Sequence, residues 1–112
     1  MSAITTHVLD VSIGRPAAGV GVVLEVQSVG GQWKVLGRGK TDADGRVRDL
    51  FSAALQAGTY RLTFEVAAYF RARNIESFYP EVAVVFVVRD PSQHYHVPLL
   101  ISPFGYSTYR GS

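Results

Sequence analysis

The chain has 112 residues, of which 47% are hydrophobic and 18% are charged, and this balance excludes a disordered chain. Its formal net charge is +2, and its Lys and Arg residues are scattered along the sequence, which argues against a nucleic-acid-binding groove. It contains no cysteine, so disulfides, thiolate catalysis and cysteine-ligated zinc are excluded. We expect one domain spanning residues 1–112.

The first half of the chain is predicted to form strands joined by tight turns. WKVLGRGKT follows GVVLEVQSV after Gly30-Gly31, a dipeptide that suits a hairpin because glycine accepts positive φ. Asp44-Gly45 in TDADGR marks a second turn. GVVLEVQSV alternates as a half-buried strand does, and its apolar face is formed by Val22, Leu24 and Val26.

The second half predicts further strands and one helix. VAAYFRARN carries Ala, Arg and Phe at helical spacing and predicts a short helix. VAVVFVV, from Val82 to Val88, is apolar on both faces and predicts a strand sandwiched between layers. Seven or eight short strands about 8–12 residues apart predict an all-β sandwich. GTYRLTFEV alternates strictly, and its apolar face is formed by Tyr60, Leu62, Phe64 and Val66.

Several ligand and targeting motifs are incomplete. Gly39-Lys40-Thr41 resembles the end of a phosphate-binding loop, but Lys34 stands where that loop needs glycine. DADG lacks the third Asp and the distal Glu of a calcium loop. MSAITTHVLD lacks the basic and apolar regions of a secretory signal, and VAVVFVV is too short to span a bilayer. We therefore expect a cytoplasmic protein with no nucleic-acid or membrane partner.

The histidines are the candidate chemical groups. In HYHVP, His94 and His96 are predicted to project from one face of a strand, while Tyr95 and Val97 face the core. His7 can join them if the first strand lies beside the penultimate one. Three interpretations remain open: unrelated surface histidines, a three-histidine zinc site, or metal-free hydrolysis by a neutral histidine and an arginine.

Four segments, in the same order, resemble the transthyretin-related 5-hydroxyisourate hydrolases. They are THVLDVSIGRPAAGVGV, TDADGR, FYPEVAVVF and the C-terminal HYHVPLLISPFGYSTYRGS, and together they span nearly the whole chain. The mild departures are Ile101 and Phe104, where family members often carry leucine or tyrosine. The resemblance implies an all-β, transthyretin-like (prealbumin-like) sandwich of two four-stranded sheets with one short helix. It also implies a homotetramer, a dimer of dimers, with active sites in the channel between dimers.

The activity implied by this resemblance is hydrolytic ring opening of 5-hydroxyisourate to 2-oxo-4-hydroxy-4-carboxy-5-ureidoimidazoline in urate degradation, without metal or cofactor. The family's catalytic positions fall on His7, Arg46 and His96. Its substrate-binding positions fall on His7, Arg46, Thr108, Tyr109, Arg110 and Ser112.

Some of these roles have alternatives. Tyr109 and Arg110 can instead tie down the final strand, and Ser112 offers a hydroxyl and, as the last residue of this sequence, a carboxylate. His94 has no role in the family and is expected to be structural or exposed. Asp42 and Asp44 are expected to serve the turn that presents Arg46.

Three other functions are compatible with the same sandwich. Transthyretin, which resembles this family without the terminal signature, is a carrier of hydrophobic ligands, and a carrier would favour an apolar channel. A zinc-dependent hydrolase would use the histidines as ligands. A structural module would need none of the candidate side chains.

Overall fold

The computed structural model describes residues 3–112, and this part of the chain forms eight strands and one helix. The prediction of seven or eight strands and one short helix is confirmed. In chain order the elements are β1 (Ile4–Asp10), β2 (Arg15–Pro16), β3 (Gly21–Gln27), β4 (Trp33–Lys40), β5 (Gly58–Phe64), α1 (Val66–Ala72), β6 (Val82–Val88), β7 (Tyr95–Ser102) and β8 (Gly105–Thr108).

The strands make two four-stranded sheets that pack as a sandwich, as predicted. One sheet has the order β2-β1-β7-β8 and the other the order β4-β3-β5-β6. The central pair of the first sheet, β1 and β7, is parallel, and it runs from the Ile4–Tyr95 pair to the Asp10–Ile101 pair. The remaining neighbours in the two sheets pair antiparallel. The first and penultimate strands therefore lie side by side.

The core between the sheets follows the predicted alternation. Along β5, Tyr60, Leu62 and Phe64 are buried, because every second side chain of a strand points to the same face. Val66 is buried too, but it begins α1 instead of ending the strand. Alternation therefore predicts which side chains are buried more reliably than it predicts where the strand ends.

The predicted turns form where glycine takes a positive φ. The β3–β4 hairpin closes with the Ser28 N–H donating to the Gln32 carbonyl at 2.7 Å, and Gly31 has a φ of 84°. In the second turn Gly45 has a φ of 78°. Side chains other than glycine rarely adopt such values, so the two glycines account for the position of both turns.

A buried carboxylate attaches the helix to the first sheet. Asp10, at the end of β1, accepts a hydrogen bond of 2.8 Å from the hydroxyl of Tyr69 in α1. It also accepts one from the Ser12 backbone N–H at 3.0 Å. Burial, followed by the hydrogen bond to Asp10, raises the pKa of Tyr69 to about 12, so its hydroxyl stays a donor at neutral pH.

The prediction that VAVVFVV is buried on both faces is wrong for the single chain. β6 is the last strand of its sheet, and only its inner face packs against the core. On its outer face, Val85 and Val87 are 56% and 49% exposed. An apolar run shows that both faces avoid water, but it does not show whether the second layer belongs to the same chain.

Gly37 allows the segment after the Asp44-Gly45 turn to approach β4 closely. A Cβ atom at this position would overlap the backbone carbonyl oxygen of Leu50, a buried residue. Because a backbone atom cannot move aside as a flexible side chain can, only glycine fits here without displacing the segment.

Replacing Gly37 with alanine is expected to lower the free energy of unfolding by about 1–3 kcal/mol, the usual cost of overpacking. The matched control is Gly30→Ala, because a Cβ atom at Gly30 meets nothing within 4 Å. Urea titrations of both variants at equal protein concentration provide the measurement. Equal stability of the two variants would contradict the close approach.

Candidate active site

The outer face of β1 and β7 carries the candidate histidines. On β1, Ile4, Thr6 and Val8 are buried in the core, so Thr5 and His7 lie on the opposite face. The parallel register places Thr5 opposite His96. The predicted adjacency of the first and penultimate strands is therefore what brings the histidine-bearing segments together.

Thr5 bridges two of the histidines. Its hydroxyl oxygen Oγ1 lies 2.8 Å from Nδ1 of His96 and 3.2 Å from Nε2 of His94. Both rings must project from the same side of the chain to reach one hydroxyl, which confirms the prediction for His94 and His96. Tyr95 and Val97 are buried, as predicted.

The Asp44-Gly45 turn holds Arg46 beside β1. The Asp42 carboxylate accepts hydrogen bonds from the backbone N–H groups of Asp44 at 2.9 Å and Arg46 at 3.1 Å. The bond from Arg46 is the main cause that lowers the pKa of Asp42. The Val8 N–H donates to the Gly45 carbonyl at 2.8 Å, which fixes the turn against the first strand. The prediction that Asp42 serves the turn before Arg46 is confirmed, whereas the Asp44 carboxylate lies 3.8 Å from Nη2 of Arg48.

The two arginines near this turn differ in their partners. Arg48 pairs with the turn itself, since its Nε lies 3.2 Å from Asp42 Oδ2. Arg46 takes part in none of the ion pairs formed by residues 3–112. The guanidinium of Arg46 is exposed and remains available to an anion.

These groups meet at an open cleft of about 640 Å³. His7 is not among the lining residues of this cleft, but its backbone forms a short antiparallel bridge with that of Arg46, and its ring interacts electrostatically with His96. Cationic and hydrogen-bonding side chains dominate the lining, which favours a polar, negatively charged ligand. The lining residues are Thr5, Thr6, Arg46, Val47, Arg48, His94, His96 and Ser112.

The surroundings of His96 favour its neutral form. Partial burial is the first cause that lowers its pKa below the ordinary value for histidine, and electrostatic interactions with Arg46, His94 and His7 add to the effect. A hydrogen bond with the backbone of Thr5 opposes the shift. The net direction is downward, so at neutral pH His96 can accept a proton.

The end of the chain closes one side of the cleft. The Gly111 N–H donates to the His96 carbonyl at 2.8 Å. A Cβ atom on Gly111 would lie 2.5 Å from Cδ2 of the His96 ring, so the glycine allows the backbone to pass directly over the imidazole. Ser112 follows in the cleft itself.

The other predicted binding residues lie elsewhere in the protomer. Thr108, Tyr109 and Arg110 border a second hollow of about 220 Å³, between β6 and the β7–β8 pair. Thr108 donates to the Pro98 carbonyl at 2.7 Å. In the single chain these three side chains therefore line a different hollow from the one that contains His96 and Arg46.

Arg110 has two contacts that hold the end of the chain. Its guanidinium lies 4.5 Å from the centre of the Tyr95 ring, and its Nη2 donates to Gln93 Oε1 at 3.0 Å. These contacts match the alternative in which Arg110 ties down the final strand.

Residues 4–111 match the model of the HIUase/Transthyretin family. The chain belongs to this family. It is 47% identical to a 5-hydroxyisourate hydrolase of Caulobacter vibrioides over the full length of both chains. It is 50% identical to a probable 5-hydroxyisourate hydrolase of Caenorhabditis elegans, over 99% of this chain and 82% of the relative.

Solved structures of the HIUase/Transthyretin fold include both an enzyme and a thyroxine complex. The 5-hydroxyisourate hydrolase of Klebsiella pneumoniae is 41% identical, with a TM-score of 0.86 over 97% of this chain and 98% of that one. Sea bream transthyretin in complex with thyroxine is 30% identical, with a TM-score of 0.93 over 98% of this chain and 95% of that one. Backbone similarity alone therefore does not distinguish a hydrolase from transthyretin, and the side chains must.

Four residues that line the cleft were not predicted from the sequence, namely Thr5, Thr6, Val47 and Arg48, and two of them could have been found. Thr5 lies two residues before His7, and Arg48 lies two residues after Arg46. Period-two spacing puts each on the same side as its predicted neighbour when the segment is extended. That spacing was the available signal.

Among residues 3–112, no three His, Asp or Glu side chains are arranged to hold a metal ion, so the geometry does not favour the zinc hypothesis. No helix in that part of the chain is long and apolar enough to cross a membrane.

Replacing Arg46 with methionine is expected to raise the pKa of His96, because one of the nearby positive charges is lost. An NMR titration of the His96 ring provides the measurement. The control is Arg89→Met, which removes a charge from an exposed position just after β6. Equal pKa values of His96 in both variants would contradict the proximity of Arg46.

The same shift has a consequence for stability. Because the pKa of His96 is lower in the folded chain than in the unfolded one, the unfolded chain binds more protons. The free energy of unfolding should therefore fall as the pH is lowered through roughly 6.5, the ordinary histidine value, towards the folded pKa. Arg46→Met should reduce this dependence.

Proposed function

We propose that this protein catalyses hydrolytic ring opening of 5-hydroxyisourate to 2-oxo-4-hydroxy-4-carboxy-5-ureidoimidazoline, a step of urate degradation. The observation that carries the proposal is that a half-buried His96, whose pKa is lowered, and an Arg46 with no ion-pair partner in residues 3–112 line one cleft. The relatives named as 5-hydroxyisourate hydrolases, at 47% and 50% identity, support the choice of substrate.

His96 acts as the general base in this proposal. Its neutral ring takes a proton from water, and the water oxygen attacks the ring carbonyl of the substrate. When the C–N bond breaks, the protonated base returns a proton to the leaving nitrogen. One water molecule is thereby added across the bond, and no metal or cofactor takes part. His7 holds the water or the substrate beside it.

Arg46 binds the anionic substrate and the oxyanion that forms on attack. Its guanidinium cannot lose its proton and presents a planar set of donors. A carboxylate already paired with Arg46 would compete with the substrate. Arg48 is neutralised by Asp42, so it contributes less to binding.

The terminal residues divide into two groups in this proposal. Ser112 lines the cleft and is proposed to contact the substrate. Thr108, Tyr109 and Arg110 remain predicted substrate-binding residues. Because they border the second hollow in one protomer, such contact would require a neighbouring protomer that brings the two hollows together.

A homotetramer built as a dimer of dimers is part of the same proposal. β6 and β8 are edge strands that border one hollow, so they lie on the same side of the sandwich. Val85, Val87, Tyr106 and Tyr109 are exposed on or next to these edges. Unpaired strand edges with exposed apolar side chains favour association. The cytoplasmic location and the single domain over residues 1–112 remain predictions.

The carrier alternative is weaker because the cleft is polar. A carrier of hydrophobic ligands needs an apolar channel, whereas two arginines and two histidines line this cleft. The activity assay described next separates the two functions.

Addition of the protein should accelerate the ultraviolet decay of 5-hydroxyisourate that is generated in situ from urate by urate oxidase. Arg46→Ala should reduce the rate by about 10²–10³-fold, the usual cost of losing an oxyanion donor. His96→Ala should reduce it by about 10²–10⁴-fold, the usual contribution of a general base. His7→Ala should also reduce it strongly.

Arg89→Ala is the matched control for Arg46→Ala, because Arg89 is exposed and lies outside both hollows. Decay no faster than the spontaneous rate in the presence of the wild type would exclude the proposed activity. Loss of activity on chelation, followed by recovery with added zinc, would instead support the metal-dependent hydrolase.

Replacing Val87 with lysine should weaken the tetramer, because burying a charge in a packed apolar interface is costly. The molar mass of the assembly in solution should therefore fall. Val29→Lys is the matched control, since Val29 is fully exposed at the tip of the β3–β4 hairpin. Light scattering after size exclusion compares the two. A tetramer in both variants would remove β6 from the proposed interface.

A further inference from the structure

We propose that Thr5 and His94 form a proton relay that connects His96 to solvent. The inference rests on the proposed function, because it assigns His96 the role of base. It starts from the bridge in which Thr5 Oγ1 lies 2.8 Å from His96 Nδ1 and 3.2 Å from His94 Nε2. His94 is exposed, whereas His96 is half-buried.

The bridge restricts where protons can be. A threonine hydroxyl has one hydrogen to donate and two lone pairs to accept with. Since Thr5 contacts two ring nitrogens, it can donate to only one of them, and the other ring must donate its own N–H to Oγ1. Two arrangements are therefore possible. Donation runs either from His96 through Thr5 to His94 or from His94 through Thr5 to His96.

One of these directions prepares His96 to act as a base. If His96 Nδ1–H donates to Thr5 and Thr5 O–H donates to His94 Nε2, the unprotonated nitrogen of His96 is Nε2. This nitrogen is left for the cleft, because Nδ1 already contacts Thr5. Thr5 is then a positioning residue that selects the tautomer needed for proton abstraction.

The proton taken from water can leave by the same chain. His96 gains a proton at Nε2 and releases its Nδ1 proton to Thr5 Oγ1, while the Thr5 hydroxyl proton moves to His94 Nε2. His96 and Thr5 end neutral, and His94 ends as an imidazolium. His96 now carries its proton on Nε2, facing the cleft, where it can protonate the leaving nitrogen. As the Nε2 proton passes to the leaving nitrogen, the His94 Nε2 proton returns to Thr5 Oγ1 and the Thr5 hydroxyl proton returns to His96 Nδ1. This restores the starting state, and the proton taken from water ends on the leaving nitrogen.

The surrounding charges favour this outward transfer. The groups that face His96 are His7 from β1, Arg46 and Arg48 from the segment after the turn, and His94 from its own segment. These groups are cationic or become cationic on protonation, so they disfavour a positive charge resting on the half-buried ring. An imidazolium at the exposed His94 is better hydrated.

Three substitutions separate the relay from a purely structural contact. Thr5→Val removes the hydroxyl and keeps the shape. Thr5→Ser keeps the hydroxyl and should keep the His96 tautomer and the reaction rate of the wild type. His94→Gln keeps a side chain able to accept a hydrogen bond but unable to take up a proton. Thr63→Val, at a half-buried threonine of β5 in the other sheet, is the control for a threonine-to-valine change on a strand.

The first readout is the tautomer of the His96 ring, measured by long-range ¹H–¹⁵N NMR at a pH where the rings are neutral. The wild type, Thr5→Ser, His94→Gln and Thr63→Val should carry the proton on Nδ1. Thr5→Val should move it towards Nε2. An unchanged tautomer in Thr5→Val would overturn the proposal even if the wild type hydrolyses 5-hydroxyisourate.

The second readout is the rate of 5-hydroxyisourate opening at low buffer concentration, because small buffer molecules can replace His94 as proton acceptor. Thr5→Val and His94→Gln should each lower kcat about 10-fold or more with little change in KM, a part of the roughly 10²–10⁴-fold acid–base contribution. The double variant should lose no more than either single variant, since both interrupt one path.

The two proposals fail in different ways. A wild-type kcat in His94→Gln would overturn the relay and leave the proposed activity intact, and this test does not depend on the folding of Thr5→Val because His94 is exposed. An inactive wild type would overturn the proposed activity, and the His96 tautomer would then still report whether Thr5 orders the ring.

Discussion

Parallel pairing of β1 with β7 brings the two ends of the chain together at the centre of one sheet. The strands of the other sheet come from the intervening sequence, so this pairing closes the sandwich. It is also a long-range contact, and its loop-closure cost must be recovered from buried side chains such as Ile4, Val8 and Leu99. The cleft exists only in this register, because a shift by one residue would turn Thr5 and His7 into the core.

The chemistry of the cleft depends on the different surroundings of its two arginines and of its two histidines. Of the two arginines beside it, Arg48 is paired with Asp42, whereas Arg46 has no carboxylate partner in residues 3–112. Of the two histidines bound to Thr5, His94 is exposed and His96 is half-buried. Because of these differences in pairing, Arg46 is free to bind an anion and Arg48 is neutralised. Because of the difference in burial, His96 can accept a proton in the cleft and His94 can accept one at the surface.

Features set by short stretches of sequence could be predicted, and features set by distant contacts could not. Alternation in GTYRLTFEV was sufficient to predict the burial of Tyr60, Leu62 and Phe64, and glycine at position 45 was sufficient for a turn. The exposed face of β6 was missed because hydropathy does not say which molecule covers an apolar face. Thr5 was missed because its importance comes from the β1–β7 register, between residues about ninety positions apart. Strand spacing supplied the candidate histidines, and resemblance to a family gave roles to His7 and His96 and added Arg46. The same resemblance grouped Thr108, Tyr109 and Arg110 with them, although in the single chain these three border another hollow.

Strand alternation gives β1 two independent surfaces. Ile4, Thr6 and Val8 secure the sandwich from one side, and Thr5 and His7 serve the cleft from the other. Substitutions on the outer side therefore leave the interior packing untouched, which frees that side to diverge. Such freedom would allow a backbone to persist while its sequence changes. Sea bream transthyretin in complex with thyroxine has that relation to this chain, with a TM-score of 0.93 at 30% sequence identity. One strand can thus preserve a fold while the ligand chemistry carried on its reverse side changes.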